Sequence, residues 1–328
     1  TWFVFVIILY VLPIKVFLSL FIAEVGNTKG SGVKLFLFGG SYVDTGNWAA
    51  HNEMKVPFGM TWPGHPAGRV SDGYILTDIL ALFFKTGVPP AYSVWKKESV
   101  SKDELQYGMN FAYGGSGALP DAWENRTVAL QTNTFLEVLD ERVFTEDDLK
   151  NSVAVLSLIG NDYTRYVFKL NGTEEGMAGR AKKISQEIVK FVKTIGNRGI
   201  RKVILNSLGV VFPKNGKVLP ALVAQRQSLG DRVKQIGESM NLTIVTLDYE
   251  TLIKPILDQG KLTSGTCCKV GKKSDAQCGD IDPTGKKLYT VCTDPNHALY
   301  FSARHISHAG WKMIYSEMVE SKILDPLL

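Results

Sequence analysis

The sequence lacks the features that mark several large classes of protein. No internal repeat or low-complexity linker divides its 328 residues, so a single domain is expected. Its net charge of +5 is spread thinly along the chain, which argues against nucleic-acid binding. Neither a dinucleotide-binding glycine fingerprint nor a phosphate-binding lysine follows the first apolar strand. We therefore expect no nucleotide cofactor.

Cysteine is scarce and confined to one late segment. The four cysteines are Cys267, Cys268, Cys278 and Cys292. They form no paired Cys-x-x-Cys units, so a zinc site is the less favoured interpretation and no metal is expected. An even number within a short segment instead predicts two disulfides, in which the two adjacent cysteines bond to different partners.

The N-terminus is a long apolar stretch. Residues 2–23 are almost all apolar, with interruptions at Pro13 and Lys15. This pattern favours a signal peptide cleaved near Ala23 over a membrane anchor, with a flexible segment following at 24–32. Glycosylation sequons begin at Asn125, Asn171 and Asn241. Together with the cysteines, these features predict a secreted, extracellular glycoprotein that keeps no stable membrane anchor after cleavage.

Short apolar runs alternate with helical patterns through the rest of the chain. The runs predict strands at 33–38, 109–113, 153–159, 202–206 and 242–247. The helical patterns cover 74–84, 177–195, 221–240 and 307–319. Strands that alternate with helices predict a three-layer α/β/α domain over 33–328, with a doubly wound parallel sheet. The cysteine-bearing segment 263–293 has little periodicity, and we expect it to be a surface segment cross-linked by disulfides.

Polar and glycine residues follow several of the predicted strands. These strand ends read Gly39-Gly40-Ser41, Gly114-Gly115-Ser116, Gly160-Asn161-Asp162 and Asp248. Ligands of open parallel sheets bind beyond the carboxyl ends of the strands, so these residues are candidates for a site. Strand ends must also turn, and turns favour the same residue types. The pattern alone leaves both interpretations open.

A resemblance to a known family gives these strand ends a specific meaning. The run Phe38-Gly39-Gly40-Ser41-Tyr42-Val43-Asp44-Thr45-Gly46-Asn47 resembles the first block of the plant GDSL esterase/lipase family, within the SGNH hydrolases. Later stretches resemble further parts of the family pattern in the same order: PFGMTWPG at 57–64, GRVSDG at 68–73, MNFAYGG at 109–115, IGND at 159–162 and HISHAGW at 305–311. The resemblance covers nearly all of the chain after residue 33, including the late cysteines.

The resemblance implies a secreted serine ester hydrolase that is carboxylesterase-, acetylesterase- or lipase-like. Ser41 would be the nucleophile, and Gly114 and Asn161 would complete an oxyanion hole with the Ser41 N–H. The substrate would be a small-molecule, polysaccharide or lipid ester. No metal or other cofactor is implied.

Histidine is the expected base, and the chain has only five histidines. His305 matches the last block of the family. His297 closes an Asp-x-x-His unit with Asp294, but its surroundings match the segment that precedes the family's catalytic motif. We therefore expect His305 to be the base and His308 to be a solvent-facing or packing residue.

Two family carboxylates are missing. Gly40 replaces the aspartate of the Gly-Asp-Ser signature, and Ser302 replaces the aspartate that orients the histidine. In serine proteases, loss of that orienting charge lowers kcat by about 10⁴-fold. The Ser302 hydroxyl or a carboxylate from elsewhere, such as Asp294, is a candidate orienting group. A catalytically impaired member that acts as a binding or interaction protein is therefore the alternative function.

Overall fold

A computed structural model describes residues 32–97, 100–158, 160–206, 220–271, 276–302 and 305–328. The predicted signal peptide, and the segment after it as far as residue 31, lie outside the described residues. No helix in the described ranges is both long and apolar enough to cross a membrane.

A five-stranded parallel sheet forms the centre of the domain. Its strands are β1 (Lys34–Gly39), β2 (Gly108–Asn110), β3 (Ser152–Ser157), β4 (Lys202–Asn206) and β5 (Thr243–Thr246). The strand order is β2-β1-β3-β4-β5, which is a doubly wound order. From β1 the chain passes to β2 on one side and then returns to β3 on the other. The carboxyl end of β1 therefore lies where such sheets bind their ligands.

Helices flank this sheet. They are α1 (Leu76–Phe83), α2 (Tyr92–Trp95), α3 (Val128–Asp140), α4 (Glu146–Lys150), α5 (Asn161–Lys169), α6 (Glu174–Asn197), α7 (Pro220–Met240), α8 (Tyr249–Asp258) and α9 (His308–Glu320). Short 3₁₀ turns occur at Lys102–Tyr107, Pro295–His297 and Asp325–Leu327.

The alternation of side chains along β1 explains the two-sided core. Leu35 and Leu37 face a cluster built with α1, α8 and α9. Phe36 and Phe38 face a second cluster built with α3, α6 and α7. All four side chains are fully buried, as expected for a strand covered by helices on both faces. The predicted three-layer α/β/α domain is confirmed.

A smaller, mixed sheet lies late in the chain. It pairs β9 (Ala298–Ser302) with β10 (His305–Ile306) in antiparallel fashion and with β6 (Thr263–Thr266) in parallel fashion. A separate hairpin joins β7 (Cys268–Val270) to β8 (Tyr289–Val291). Two disulfides, Cys267–Cys292 and Cys268–Cys278, staple this region. The predicted disulfides are confirmed, and together they use all four cysteines.

Several element boundaries differ from the sequence prediction. β2 ends at Asn110 rather than Tyr113, although Phe111 N–H and Tyr113 N–H still donate to Leu37 and Gly39 of β1. The segment 263–293 contains three short strands that were not predicted. Their pairing connects residues 19 to 35 positions apart, so local periodicity gives little sign of them.

Candidate active site

Ser41 lies in the turn immediately after β1 and is half-buried. This turn is tight, because Val43 N–H and Asp44 N–H both donate to the carbonyl of Gly40. Gly39 is required before it, since its φ is +121° and a Cβ there would lie 2.1 Å from the Ser157 carbonyl oxygen. The sheet thus presents the Ser41 side chain at its carboxyl edge.

His305 reaches this serine from the small sheet. Its Nε2 lies 2.9 Å from Ser41 Oγ, although 264 residues separate the two in sequence. On the other side of the ring, Nδ1 lies 3.0 Å from Ser302 Oγ. Ser302 and His305 face each other as partners of the β9–β10 pair, which explains their contact. The structure brings the predicted nucleophile, base and hydroxyl orienting group into one row.

The other proposed orienting group is elsewhere. Asp294 Oδ2 lies 2.7 Å from His297 Nδ1, and its Oδ1 accepts from Asn296 N–H. The side chains of Asp294 and His297 are 49% and 75% exposed, respectively. Asp294 therefore contacts His297 rather than His305 in this structure, and His297 is a surface residue.

The backbone next to His305 is held by the segment before α1. Ser71 Oγ donates to the Ile306 carbonyl at 3.1 Å, and His308 N–H donates to Asp72 Oδ1 at 2.8 Å. Tyr74 N–H donates to His308 Nδ1 at 3.2 Å, and the two rings pack with centroids 4.5 Å apart. Burial lowers the pKa of His308. His308 is thus a packing residue, as predicted.

A buried amide holds the other end of the site. Gln131 of α3 accepts from Gly39 N–H at 2.7 Å and donates to the Gly39 carbonyl at 3.0 Å. It also donates to the Arg126 carbonyl at 2.8 Å. Both backbone groups of the residue two positions before Ser41 are therefore fixed by one side chain. The sequence analysis missed Gln131, because nothing local links α3 to the end of β1.

Asn161, the first residue of α5, lies close to the turn that carries Ser41. Its Nδ2 donates to the Ser116 carbonyl at 2.8 Å, which leaves the second N–H of the same amide for another acceptor. A Cβ on Gly40 would lie only 2.9 Å from this nitrogen. The missing side chain at Gly40 therefore lets the Asn161 amide approach the backbone beside the nucleophile.

Gly114 is placed differently from the sequence expectation. Its N–H donates to Asp44 Oδ2 at 2.7 Å. Since a backbone amide has a single hydrogen, Gly114 does not offer a free oxyanion donor in this structure. The expected role is corrected accordingly: Gly114 helps to hold the carboxylate of Asp44.

Asp44 is a buried carboxylate beside the nucleophile that the sequence analysis did not assign. The Asp44 carboxylate accepts a hydrogen bond from Gly114 N–H. It also accepts from the backbone N–H groups of Gly46, Asn47 and Trp48, at 2.7–2.9 Å. Burial raises the pKa of Asp44 to about 6, against the lowering effect of these four donors. Its position three residues after Ser41, within the first block, was the available signal.

The remaining predicted sites lie outside this centre. Asn125, Asn171 and Asn241 are all exposed, which glycosylation of a folded chain requires. Within the described ranges, no group of three or more His, Cys, Asp or Glu side chains could hold a metal ion.

The fold is a three-layer α/β/α domain with a doubly wound parallel sheet, and Ser41 and His305 lie in contact at the carboxyl edge of that sheet. The family model for GDSL-like Lipase/Acylhydrolase matches residues 35–317. The chain belongs to this family, and it is a hydrolase that acts on ester bonds.

Individual relatives agree with this assignment. GDSL esterase/lipase At2g36325 of Arabidopsis thaliana is 34% identical over 311 residues, which cover 86% of this chain and 85% of the relative. GDSL esterase/lipase At5g03610 of the same plant is 32% identical, with 92% of this chain and 93% of the relative covered. Among solved structures, the acetylxylan esterase Axe2 from Geobacillus stearothermophilus aligns over 89% of this chain and 94% of its own, at 14% identity and a TM-score of 0.36. That similarity is too low to inform substrate choice.

Proposed function

We propose that this protein is a secreted serine esterase in which Ser41 is the nucleophile and His305 is the general base. The observation that carries the proposal is the contact of 2.9 Å between Ser41 Oγ and His305 Nε2. A nucleophile within hydrogen-bond reach of a base, which is itself held by a third group, is the arrangement that activates a serine.

In the first half of the reaction, Ser41 Oγ attacks the ester carbonyl while its proton passes to His305 Nε2. The tetrahedral intermediate then collapses, the bond to the alcohol oxygen breaks, and that oxygen takes the proton from His305. In the second half, His305 removes a proton from water, and the hydroxide attacks the acyl group on Ser41. The acid leaves, and the proton returns to Ser41 Oγ.

Two donors support an oxyanion next to Ser41. Among the described residues, the Ser41 N–H has no backbone or side-chain acceptor. The second N–H of the Asn161 amide is the other donor, held in place by the bond to the Ser116 carbonyl. A fixed donor in such a site typically contributes about 10²–10³-fold to kcat.

Ser302 gives His305 an orienting partner without a negative charge. For Nε2 to accept the Ser41 proton, Nδ1 must carry the ring hydrogen and donate it to Ser302 Oγ, 3.0 Å away. A hydroxyl can also donate to Nδ1, so Ser302 selects this tautomer less strictly than a carboxylate would. A hydroxyl stabilises the imidazolium less than a carboxylate does, so we expect slow turnover, with activated esters as the best substrates.

Secretion is the proposed location. Disulfides persist in oxidising compartments, and this chain has two of them between Cys267 and Cys292. The three exposed sequons are compatible with passage through a secretory pathway. Chromatography of the culture medium and cell lysate after expression of the full-length precursor in a eukaryotic host tests this part, because secretion predicts the chain in the medium.

Hydrolysis of short-chain aryl esters tests the activity. Purified wild-type protein should release the aryl alcohol, and Ser41→Ala should lower kcat by about 10³-fold or more, because it removes the nucleophile. Lys190→Ala changes an exposed residue on α6 and serves as a matched control that should keep the wild-type rate. Equal, background-level rates for wild type and Ser41→Ala would refute the esterase proposal.

The second candidate is a binding protein that has lost turnover. The uncharged partner at His305 Nδ1 favours it, as does the commitment of Gly114 N–H to Asp44. In that case wild type and Ser41→Ala would share a background rate, and an unreactive ester analogue would still bind to both with the same affinity.

A further inference from the structure

A cavity of about 330 Å³ lies beside the active site, on the β2 side of the sheet. It is an open pocket bounded by the loops after β1 and β2 and by helices α2 and α3. Its lining includes four basic side chains and no carboxylate. The four basic residues are His51, Lys96, Lys97 and Arg126. The size is at the small end of the range for small-molecule sites.

Three aromatic side chains, Tyr92, Phe111 and Tyr113, also line the pocket. Tyr92 and Phe111 stack with their centroids 5.8 Å apart and their planes 29° apart. Tyr113 contributes a third ring, and the His51 ring lies 6.4 Å from it. Such a lining favours a planar, largely apolar ligand.

Arg126 is the cation best placed to bind an anion. Its guanidinium lies over the Tyr113 ring, 5.6 Å from the centroid, and no described carboxylate is within ion-pair distance. By contrast, Lys96 pairs with Glu141 at 3.3 Å, and Lys97 donates to the Ala50 carbonyl at 3.0 Å. The planar guanidinium can bind a carboxylate through two parallel hydrogen bonds.

The backbone behind Arg126 is fixed. The Arg126 carbonyl accepts from Gln131 Nε2 at 2.8 Å, and the same side chain holds Gly39. Thr127, the next residue, caps α3 through its side chain and is buried. The Arg126 side chain therefore extends from an ordered helix start, so its position at the cavity does not depend on a long loop.

We propose that this cavity is a binding site for a small aromatic carboxylate, with the carboxylate on Arg126 and the ring against the aromatic wall. The hydroxyl groups of Ser93 and Thr134 also line the cavity and suit a polar substituent on the ring. A single ring with one carboxylate fits within this volume. The proposal does not depend on turnover at Ser41, since binding and hydrolysis are measured separately.

Calorimetric titration with 4-hydroxybenzoate tests the proposal. We expect saturable binding of one molecule per chain with a Kd below about 1 mM, and the same Kd for Ser41→Ala. The neutral isostere 4-hydroxybenzamide should bind at least about tenfold more weakly, because charge-assisted bonds to the guanidinium are lost. Glucuronate, an acid without an aromatic ring, should also bind more weakly.

Arg126→Gln should weaken 4-hydroxybenzoate binding about tenfold and leave the affinity for 4-hydroxybenzamide unchanged. This substitution keeps the Asn125 sequon and alters an exposed side chain, and an unchanged Tm would show that the variant is folded. Arg232→Gln, on the exposed side of α7, is the matched control and should leave both affinities unchanged. Absence of saturable binding to wild type, equal affinity for acid and amide, tighter binding of glucuronate, or an unaltered Kd in Arg126→Gln would overturn the proposal.

Discussion

Two histidines in this protein have the same local geometry and different surroundings. His297 and His305 each contact, through Nδ1, a side chain three residues earlier: Asp294 at 2.7 Å and Ser302 at 3.0 Å. The unit with the carboxylate is on the surface, and the unit with the hydroxyl faces Ser41. Spacing alone would select the wrong histidine, and it is the contact with the nucleophile that distinguishes the two.

The comparison also shows what the active site lacks, which is a carboxylate beside His305. An exposed ion pair such as Asp294–His297 contributes little to stability, because solvent screens it. At His305 the same charge would act beside a half-buried ring, where an imidazolium forms during catalysis. Substitutions at the active site can therefore be compared with matched substitutions in the surface unit.

Removal of the histidines should give the largest contrast. His305→Ala should lower kcat for an aryl ester by about 10³-fold, because Ser41 loses its base. His297→Ala should leave kcat and KM within twofold of wild type. Steady-state kinetics of both variants test this. Comparable losses in the two variants would show that the roles have been assigned wrongly.

Buried and exposed carboxylates should contribute differently to the pH dependence of stability. Burial raises the pKa of Asp44 to about 6, whereas the Asn296 N–H and His297 lower the pKa of Asp294. A raised pKa in the folded state stabilises the protein below the unfolded pKa, and this stabilisation is lost as the pH rises through the folded pKa. Wild type should therefore lose about 2 kcal/mol of unfolding free energy relative to Asp44→Asn between pH 4 and pH 7.

Denaturant unfolding at a series of pH values measures this difference. Asp294→Asn is the control, and its stability relative to wild type should change little over the same range, because the group is exposed. If the unfolding free energy of wild type instead rises relative to that of Asp44→Asn as the pH rises, the four N–H donors outweigh burial. The stated direction of the Asp44 pKa shift would then be wrong.

Restoring the charge at His305 should have a smaller, positive effect. Ser302→Asp should raise kcat about 10- to 100-fold, since a charged hydrogen-bond partner contributes about 1.5–3 kcal/mol. Asp294→Ser removes the charge from the surface unit and should leave kcat unchanged. An unaltered kcat in Ser302→Asp, with the fold intact, would mean that another group already orients His305.

The sequence predicted the large-scale fold because the central strands are nearly continuous apolar runs. Val153 to Leu156 are all fully buried, as a parallel strand between two helical layers must be. The small sheet was not predicted. Its strand Thr263–Thr266 is polar and mostly exposed, and it owes its conformation to pairing with β9 and to the neighbouring disulfides.

The sequence predicted those site residues whose role follows from a family motif. It did not predict which of two distant groups a given N–H would bind. The sequence identified Ser41 and His305, and the structure places them in contact. It gave no sign that Gly114 N–H bonds to Asp44, since 70 positions separate them and both lie in motif blocks. The choice between an oxyanion and a buried carboxylate for that N–H depends on three-dimensional packing.

The most direct test of the account is the reaction of the protein with a fluorophosphonate, which forms a covalent adduct only with an activated serine. Intact-mass measurement and peptide mapping should find one adduct on Ser41 of wild type, much slower labelling of His305→Ala, and normal labelling of His297→Ala. A folded wild-type protein that forms no adduct, or forms one on another residue, would contradict the central claim that His305 activates Ser41.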